Sequence, residues 1–385
     1  MLENNGKLGG GKIEPVTLDS PINQKEIDSV LFKNVYEIEK EFKRENDKYK
    51  NEIIHGLKKN KEILFKLNKH EEIYCNFIKN NYEKLFKYIV FRYKFRQSGL
   101  KKIVFEVPLY LLVEPVSTCN LRCPFCFQVD KSFTRKPFMG VMSFDLFKKV
   151  IDEANQIGVG AITLGSRGEP TLHKKYANML EYIATKKNIY EVKTNTNATF
   201  LNSEICHAFF KNNVNQVVIS ADHYIKEDYE RLRKGANFEK IINNVDMLFN
   251  IRKEHYPNSI TEIRVSGIDN EKNLDRKKFE NFWKSRSDHV TASYPLERWD
   301  TYANKKHPEI NDACYYLWDR MYVWFDGKVN PCDSDYKSYL SFGNVKDNSI
   351  KEIWKSEKIS NFRKLHINHK RNEINPCDRC GVTFK

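Results

Sequence analysis

Between residues 110 and 292 short apolar runs alternate with amphipathic stretches, and this alternation limits the fold more than any other feature of the chain. The runs are Tyr110–Val113, Ala161–Leu164, Tyr190–Lys193, Gln216–Ser220, Glu262–Val265 and His289–Ala292, each of strand length. Helical spacing of apolar residues fills the gaps at Ser143–Gln156, Lys175–Lys186, Asn202–Asn212, Asn237–His255 and Leu274–Ser285. Six strands alternating with helices imply an α/β fold with a parallel sheet, wound open or rolled into a barrel. Right-handed crossovers then place every strand C-terminus on one edge, where sites form.

Residues 1–23, with Gly9, Gly10 and Gly11, read as a flexible tail. Residues 24–105 read as a helical N-terminal extension: Ile27, Leu31, Val35, Ile38 and Phe42 recur at three to four residues, and Ile73, Phe77, Leu85, Phe86 and Ile89 repeat the pattern. Its segment Tyr82–Arg96 mixes aromatics with Lys and Arg. Peripheral membrane contact would suit that mixture, but a helix packed on the next domain is the preferred reading. Residues 106–300 form the barrel segment and 301–385 a smaller cysteine-rich module with turn signals at Asp326-Gly327 and Phe342-Gly343-Asn344. There is no apolar h-region at the N-terminus and no run of about 18 apolar residues, so the expected location is the cytoplasm. The net charge of +14 would favour anionic partners, yet Lys is abundant everywhere, and a solvated lysine surface without a nucleic-acid partner is the preferred reading.

Nine cysteines cannot all pair internally, and in a reducing compartment clustered cysteines are better read as metal ligands. Cys119, Cys123 and Cys126 follow the first strand at C-x3-C-x2-C spacing. Three thiolates in one short loop can wrap an iron–sulfur cluster. Three ligands on a four-iron cluster leave one iron open, which is a catalytic feature. A zinc knuckle would need a fourth ligand, and none lies near in sequence.

This spacing, with Phe125 before the last cysteine, resembles the signature of the radical S-adenosylmethionine (SAM) superfamily, over about residues 108–295. The resemblance implies a partial (β/α)6 TIM-type barrel and a [4Fe–4S] cluster whose open iron is chelated by SAM. Electron transfer to the sulfonium would then give a 5′-deoxyadenosyl radical that abstracts a substrate hydrogen. Gly165-Ser166-Arg167-Gly168-Glu169-Pro170 looks like the family's Gly-Gly-Glu-Pro stretch, with Ser-Arg where another small residue is common. It implies that Gly168 lets the backbone approach the ligand and that Glu169 accepts from the methionyl ammonium. Thr194–Ala198 is similar to the family's Thr-Asn-Gly turn, so Asn195 and Asn197 become candidates for ribose or substrate contacts. Ser220 and Asp222 end the fourth strand as further candidates. Tyr229–Gly235 resembles a family helix in which Arg233 would pair with the methionyl carboxylate.

Cys314, Cys332, Cys377 and Cys380 give C-x12-G-x4-C and then Cys-Asp-Arg-Cys. They resemble the family's C-terminal twitch/SPASM-like module, which would hold one auxiliary [4Fe–4S] cluster; structural zinc is the alternative. Cys75 and Cys206 read as small packed residues. The resemblance therefore points to an oxidoreductase, a dehydrogenase of a sugar, cyclitol or related small molecule with an anionic or sugar-linked character. The auxiliary cluster would be the electron acceptor and a flavodoxin or ferredoxin the electron donor. Tyr294, Glu297, Arg298 and Asp300 are the candidate substrate or catalytic residues after the sixth strand. A peptide-modifying maturase is the second reading. A non-catalytic, metal-stabilised RNA- or membrane-binding protein would explain the charge but not Glu169, Arg233 or the three-cysteine loop.

Overall fold

The computed structural model describes residues 24–42, 45, 47–269, 274–294 and 299–382. The expected tail and the candidates Glu297 and Arg298 lie outside the described residues. The chain forms two compact units, one within residues 18–105 and one within 106–385.

In the larger unit the alternation folds as read. Strands β1 (Tyr110–Val113), β2 (Ala161–Leu164), β3 (Glu191–Thr196), β4 (Gln216–Ser220), β5 (Glu262–Ile268) and β6 (His289–Ser293) pair in parallel in sequence order. A helix follows each of β1 to β5, because a parallel neighbour can be reached only by a crossover. The C-terminal segment extends this sheet. Strand β7 (Arg320–Val323) pairs in parallel with β1, and β8 (Lys328–Asn330) and β9 (Gly343–Asn344) follow antiparallel. The order is β6-β5-β4-β3-β2-β1-β7-β8-β9, an open partial barrel of nine strands. The sequence sets residues from 301 apart as a module of their own; the four-residue β7 gave no periodic signal, yet it joins them to the barrel's first strand.

The two faces of the sheet differ in chemistry. Leu111, Val113, Ile162, Leu164, Val217, Ile219, Ile263 and Val265 face the helices in one apolar core, which runs on through Trp318, Val323 and Trp354. The alternate residues face the lumen. One register layer there is Tyr322, Leu112, Thr163, Lys193, Gln216 and Glu262. The next layer contains Asn195, Val218, Arg264 and His289. A packed barrel would fill such layers with branched apolar side chains; here they are mostly polar.

Among the described residues the smaller unit holds five helices, Gln24–Lys33, Val35–Phe42, Lys48–Asn60, Lys69–Ile78 and Tyr82–Lys101. Leu31, Ile38, Ile53, Leu57, Leu85, Phe86 and Ile89 are buried, so the aromatic face of Tyr82–Arg96 is spent on packing within this unit. Among the described residues no helix is long and apolar enough to cross a membrane. Glu71 is fully buried, closes a capping box with Asn68, and pairs with Arg92 and Arg96. Burial opposes its charge, but the two guanidinium groups outweigh burial and hold its carboxyl down at about 2. A depressed carboxylate adds stability above its unfolded value, and that stability is lost as pH falls from about 4.5 towards 2. Glu71→Gln should therefore cost this unit about 3–5 kcal/mol at neutral pH. Amide exchange in the two helices 69–78 and 82–101 should accelerate accordingly, and the difference from wild type should shrink below about pH 4.5.

Candidate active site

The loop after β1 carries Cys119, Cys123 and Cys126 at the C-terminal edge of the sheet. Its backbone is tied on every side. Ser117 exchanges hydrogen bonds with Gly140; Gln128 Nε2 donates to the carbonyls of Ser117 (2.8 Å) and Arg167 (2.6 Å). The Arg122 amide donates to Lys234 O (2.8 Å) and the Glu169 amide to Thr118 O (2.9 Å). Gly168 is needed for closeness: a Cβ there would lie 2.3 Å from Val116 O and 2.4 Å from Thr118 O. It lets the second loop seat against the cysteine loop. Gly235, at φ +97°, lets the chain after Arg233 turn beneath Asn120.

Burial pushes the Cys119 thiol up to about 11 and the Cys123 thiol to about 12, and each thiolate, with that of Cys126, opposes the others. The three sulfurs lie near enough for their charges to interact, and iron would have to displace their protons. Among the described residues no three His, Cys, Asp or Glu side chains are spaced to hold a single metal ion. One zinc draws all its sulfurs to about 2.3 Å from one centre, whereas a cubane takes one thiolate per iron and accepts wider spacing. The cysteine set fits a cluster.

Around it stand the other candidates. Glu169 is buried, and its carboxylate accepts from Thr171 N (3.2 Å), from the Thr171 and Thr196 hydroxyls, and from Asn197 N (2.7 Å). Burial nevertheless raises its pKa, so a cation beside it would be held strongly. Oε1 takes three of these bonds and Oε2 one, which leaves Oε2 the atom with lone-pair capacity for an ammonium. Arg233 Nε lies 2.9 Å from Asp222 Oδ2 in an ion pair misaligned for a hydrogen bond, beside Cys123 and the buried Tyr229. Asp222 Oδ1 accepts from Ile268 N (3.0 Å). Asn197 is structural first: Oδ1 accepts from Thr199, and Nδ2 donates to Asn120 Oδ1 (3.0 Å) and points to Cys119 Sγ (3.7 Å). An amide directed at a ligating sulfur raises a cluster's potential. Asn195 and Ser220 are half-buried on the lumen face, and Phe125 is half-buried within the cysteine loop. Tyr294 is 46% exposed and stacks under Arg276. Asp300 accepts from Tyr302 N (3.0 Å) and from Tyr336 Oη (3.1 Å), whose ring stacks on Phe127.

The four C-terminal cysteines also lie near enough for their charges to interact. Burial raises Cys314 to about 11 and lifts Cys332 and Cys377 well above the usual thiol range; the charges of the other cysteines, Cys380 included, oppose each thiolate. Cys332 packs on Leu112, Tyr322 and Trp324, two of which form the lumen wall. Arg371, which the sequence did not single out, is 1% exposed, donates to Cys380 O (2.9 Å) and favours the thiolate forms of Cys314 and Cys377. A buried fixed cation offsets the negative charge of four thiolates. Lys193 and Arg264 in the lumen were also missed, although a lysine inside the alternating Glu191–Thr196 strand was a visible signal.

Cys119→Ala, Cys123→Ala and Cys126→Ala together should halve the iron from about eight to about four per chain and remove one of two electron paramagnetic resonance signals. Arg371→Leu should do the reverse, losing the second signal and sparing the first.

Two family models match the chain: the radical SAM superfamily over residues 113–282 and the SPASM iron–sulfur cluster-binding domain over 314–381. The first span holds the three-cysteine loop and the second all four C-terminal cysteines. A tungsten-containing aldehyde ferredoxin oxidoreductase cofactor-modifying protein of Pyrococcus furiosus is 25% identical over 307 residues, 68% of this chain and 84% of that protein. Two solved structures share the fold. BtrN in complex with AdoMet and 2-DOIA is 17% identical with a TM-score of 0.52, over 73% of this chain and 95% of that one. Streptococcus suis SuiB bound to precursor peptide SuiA is 13% identical with a TM-score of 0.52, over 82% and 87%. The chain belongs to the radical SAM superfamily, with [4Fe–4S] clusters and SAM as its cofactors and a SPASM-type cluster domain completing its sheet.

Proposed function

We propose that this enzyme is a dehydrogenase that oxidises a carbon bearing a hydroxyl group in a sugar, cyclitol or related small molecule, in the cytoplasm. The observation that supports this is the position of Cys332: it packs against the cluster of Leu112, Tyr322 and Trp324, the first two on the polar lumen's face, so a centre ligated by the four C-terminal thiolates would adjoin the lumen. When bound, the first cluster with SAM supplies a hydrogen-abstracting 5′-deoxyadenosyl radical and the second an acceptor for the remaining electron, with flavodoxin or ferredoxin as donor. Cys119, Cys123 and Cys126 would hold the first, and Cys314, Cys332, Cys377 and Cys380 the second. Glu169 Oε2 would take the methionyl ammonium. Arg233, held by Asp222 and buried, would offer its charge to the methionyl carboxylate. Asn195 and Ser220, on the lumen face, would meet ribose or substrate. Leu112, Tyr322 and Trp324 keep water from the wall between lumen and cysteines. Asp300, tied to Tyr302 and Tyr336, would act by positioning.

The likeness to SuiB, solved with a precursor peptide, supports a second reading as a peptide-modifying maturase. Stoichiometry tests the first. Anaerobic turnover with a panel of sugars and cyclitols should give one oxidised product per SAM cleaved, without added oxidant. A redox-neutral product sinks the oxidation reading, and turnover only with peptides moves it to the second.

A further inference from the structure

On the oxidation reading above, the substrate must lose a proton as well as a hydrogen atom and an electron, and among the described residues Lys193 stands on the lumen face in a position to take it. Lys193 sits mid-strand on β3, between Glu191 and Asn195. Its neighbours Val192 and Thr194 face the helices, Val192 in the apolar core and Thr194 against Tyr176, so Lys193 points into the lumen. The flanking residues of its layer are already engaged. Thr163 on β2 accepts from Tyr110 (2.7 Å), and Gln216 on β4 donates to Glu262. On β5, Glu262 also faces His289 of β6 at 3.5 Å, and Arg264 donates to Thr291 (2.9 Å). Arg320 on β7 is held by both oxygens of Asp319. Among the described residues Lys193 has no hydrogen bond or ion pair, and it is half-buried on the lumen face.

We infer that Lys193 is the proton acceptor of the reaction, contacting the substrate hydroxyl in the barrel lumen. The step balances: the hydrogen atom leaves the carbon for the 5′-deoxyadenosyl group, giving 5′-deoxyadenosine. The electron leaves for the auxiliary cluster. The hydroxyl proton leaves for Lys193 Nζ, which passes from amine to ammonium as the carbonyl forms. The electrostatics of the lumen agree. Burial, then Arg264 and Arg320, disfavour the ammonium, while Glu262 and Glu191 oppose them only in part, and the balance holds the amine at about 7. A base at that value exchanges protons near neutral pH.

The test begins with competitive labelling of the cluster-loaded full chain by trace acetic anhydride across pH, read by peptide mass spectrometry. Lys193 should label half-maximally near pH 7, against about 10.4 for surface lysines. A midpoint above about 9.5, or no label at any pH, overturns the assignment. Lys193→Arg keeps the positive charge but cannot act as a base. Its iron content should match wild type, while oxidised product with the substrate found by stoichiometry falls about 100-fold or more. Unchanged product formation overturns the proposal. Wild-type product formation should rise with pH through about 7, as the amine form appears. A redox-neutral product removes the oxidation reading itself, whatever the labelling midpoint, so the two failures are told apart.

Discussion

The site depends on one buried ion pair. Glu114, the residue after β1, is 0% exposed, and Arg167, after β2, is 3% exposed. The guanidinium forks onto the carboxylate through Nε (2.7 Å) and Nη2. Neither partner stops there. Glu114 also accepts from Phe325 N beyond β7, and Arg167 Nη1 donates to Tyr336 O (2.8 Å) and lies 4.2 Å over the Trp324 ring. Desolvating two charges this completely makes such a pair a poor source of net stability. What it supplies is specificity: a bidentate fork accepts one geometry, and here that geometry fixes three chain segments at once.

Those segments are the ones that make the chemistry. The Arg167 carbonyl receives Gln128, which also holds Ser117 and so the root of the cysteine loop. One residue on, Gly168 presses against Val116 and Thr118, and Glu169 turns back to collect Thr171, Thr196 and Asn197. On the other side Trp324 and Tyr322 close over Cys332. Two cysteine sites far apart in sequence are thereby braced against the same first strand, β1, one at its end and the other through its neighbour β7.

Most of the sheet was legible because its two faces obey simple rules: Leu111, Ile162, Val217 and Ile263 recur where helices must cover them. The cysteine spacings were equally plain. Arg167 was legible only as an exception, a long cation where a small residue is common, and its partner Glu114 lies 53 residues away, beyond any local pattern. Strand β7 was hidden for a related reason. Its four residues alternate between the core and the lumen like those of β1, but they sit among cysteines and aromatics, and a parallel pairing to a strand 210 residues earlier leaves no periodic trace. The packing of Gly168 against the carbonyls of Val116 and Thr118 was not legible because those contacts are tertiary.

The lumen layers were visible as letters but not as a surface. Lys193, Arg264, Glu262 and Arg320 look like exposed charges on strand edges until the register stacks them on one face. Enclosing that many ionisable groups costs free energy unless they pair or shift. Arg320 pairs with Asp319 and Glu262 lies beside His289, whereas Lys193 has no such partner among the described residues and burial disfavours its ammonium. A fold optimised only for stability would have filled the layer with valine and leucine. This one instead keeps Lys193, which has no hydrogen bond or ion pair among the described residues, in the register layer of Leu112 and Tyr322, on which Cys332 packs; on the proposed reading that layer would carry protons towards β3 and electrons towards the cysteines behind β7.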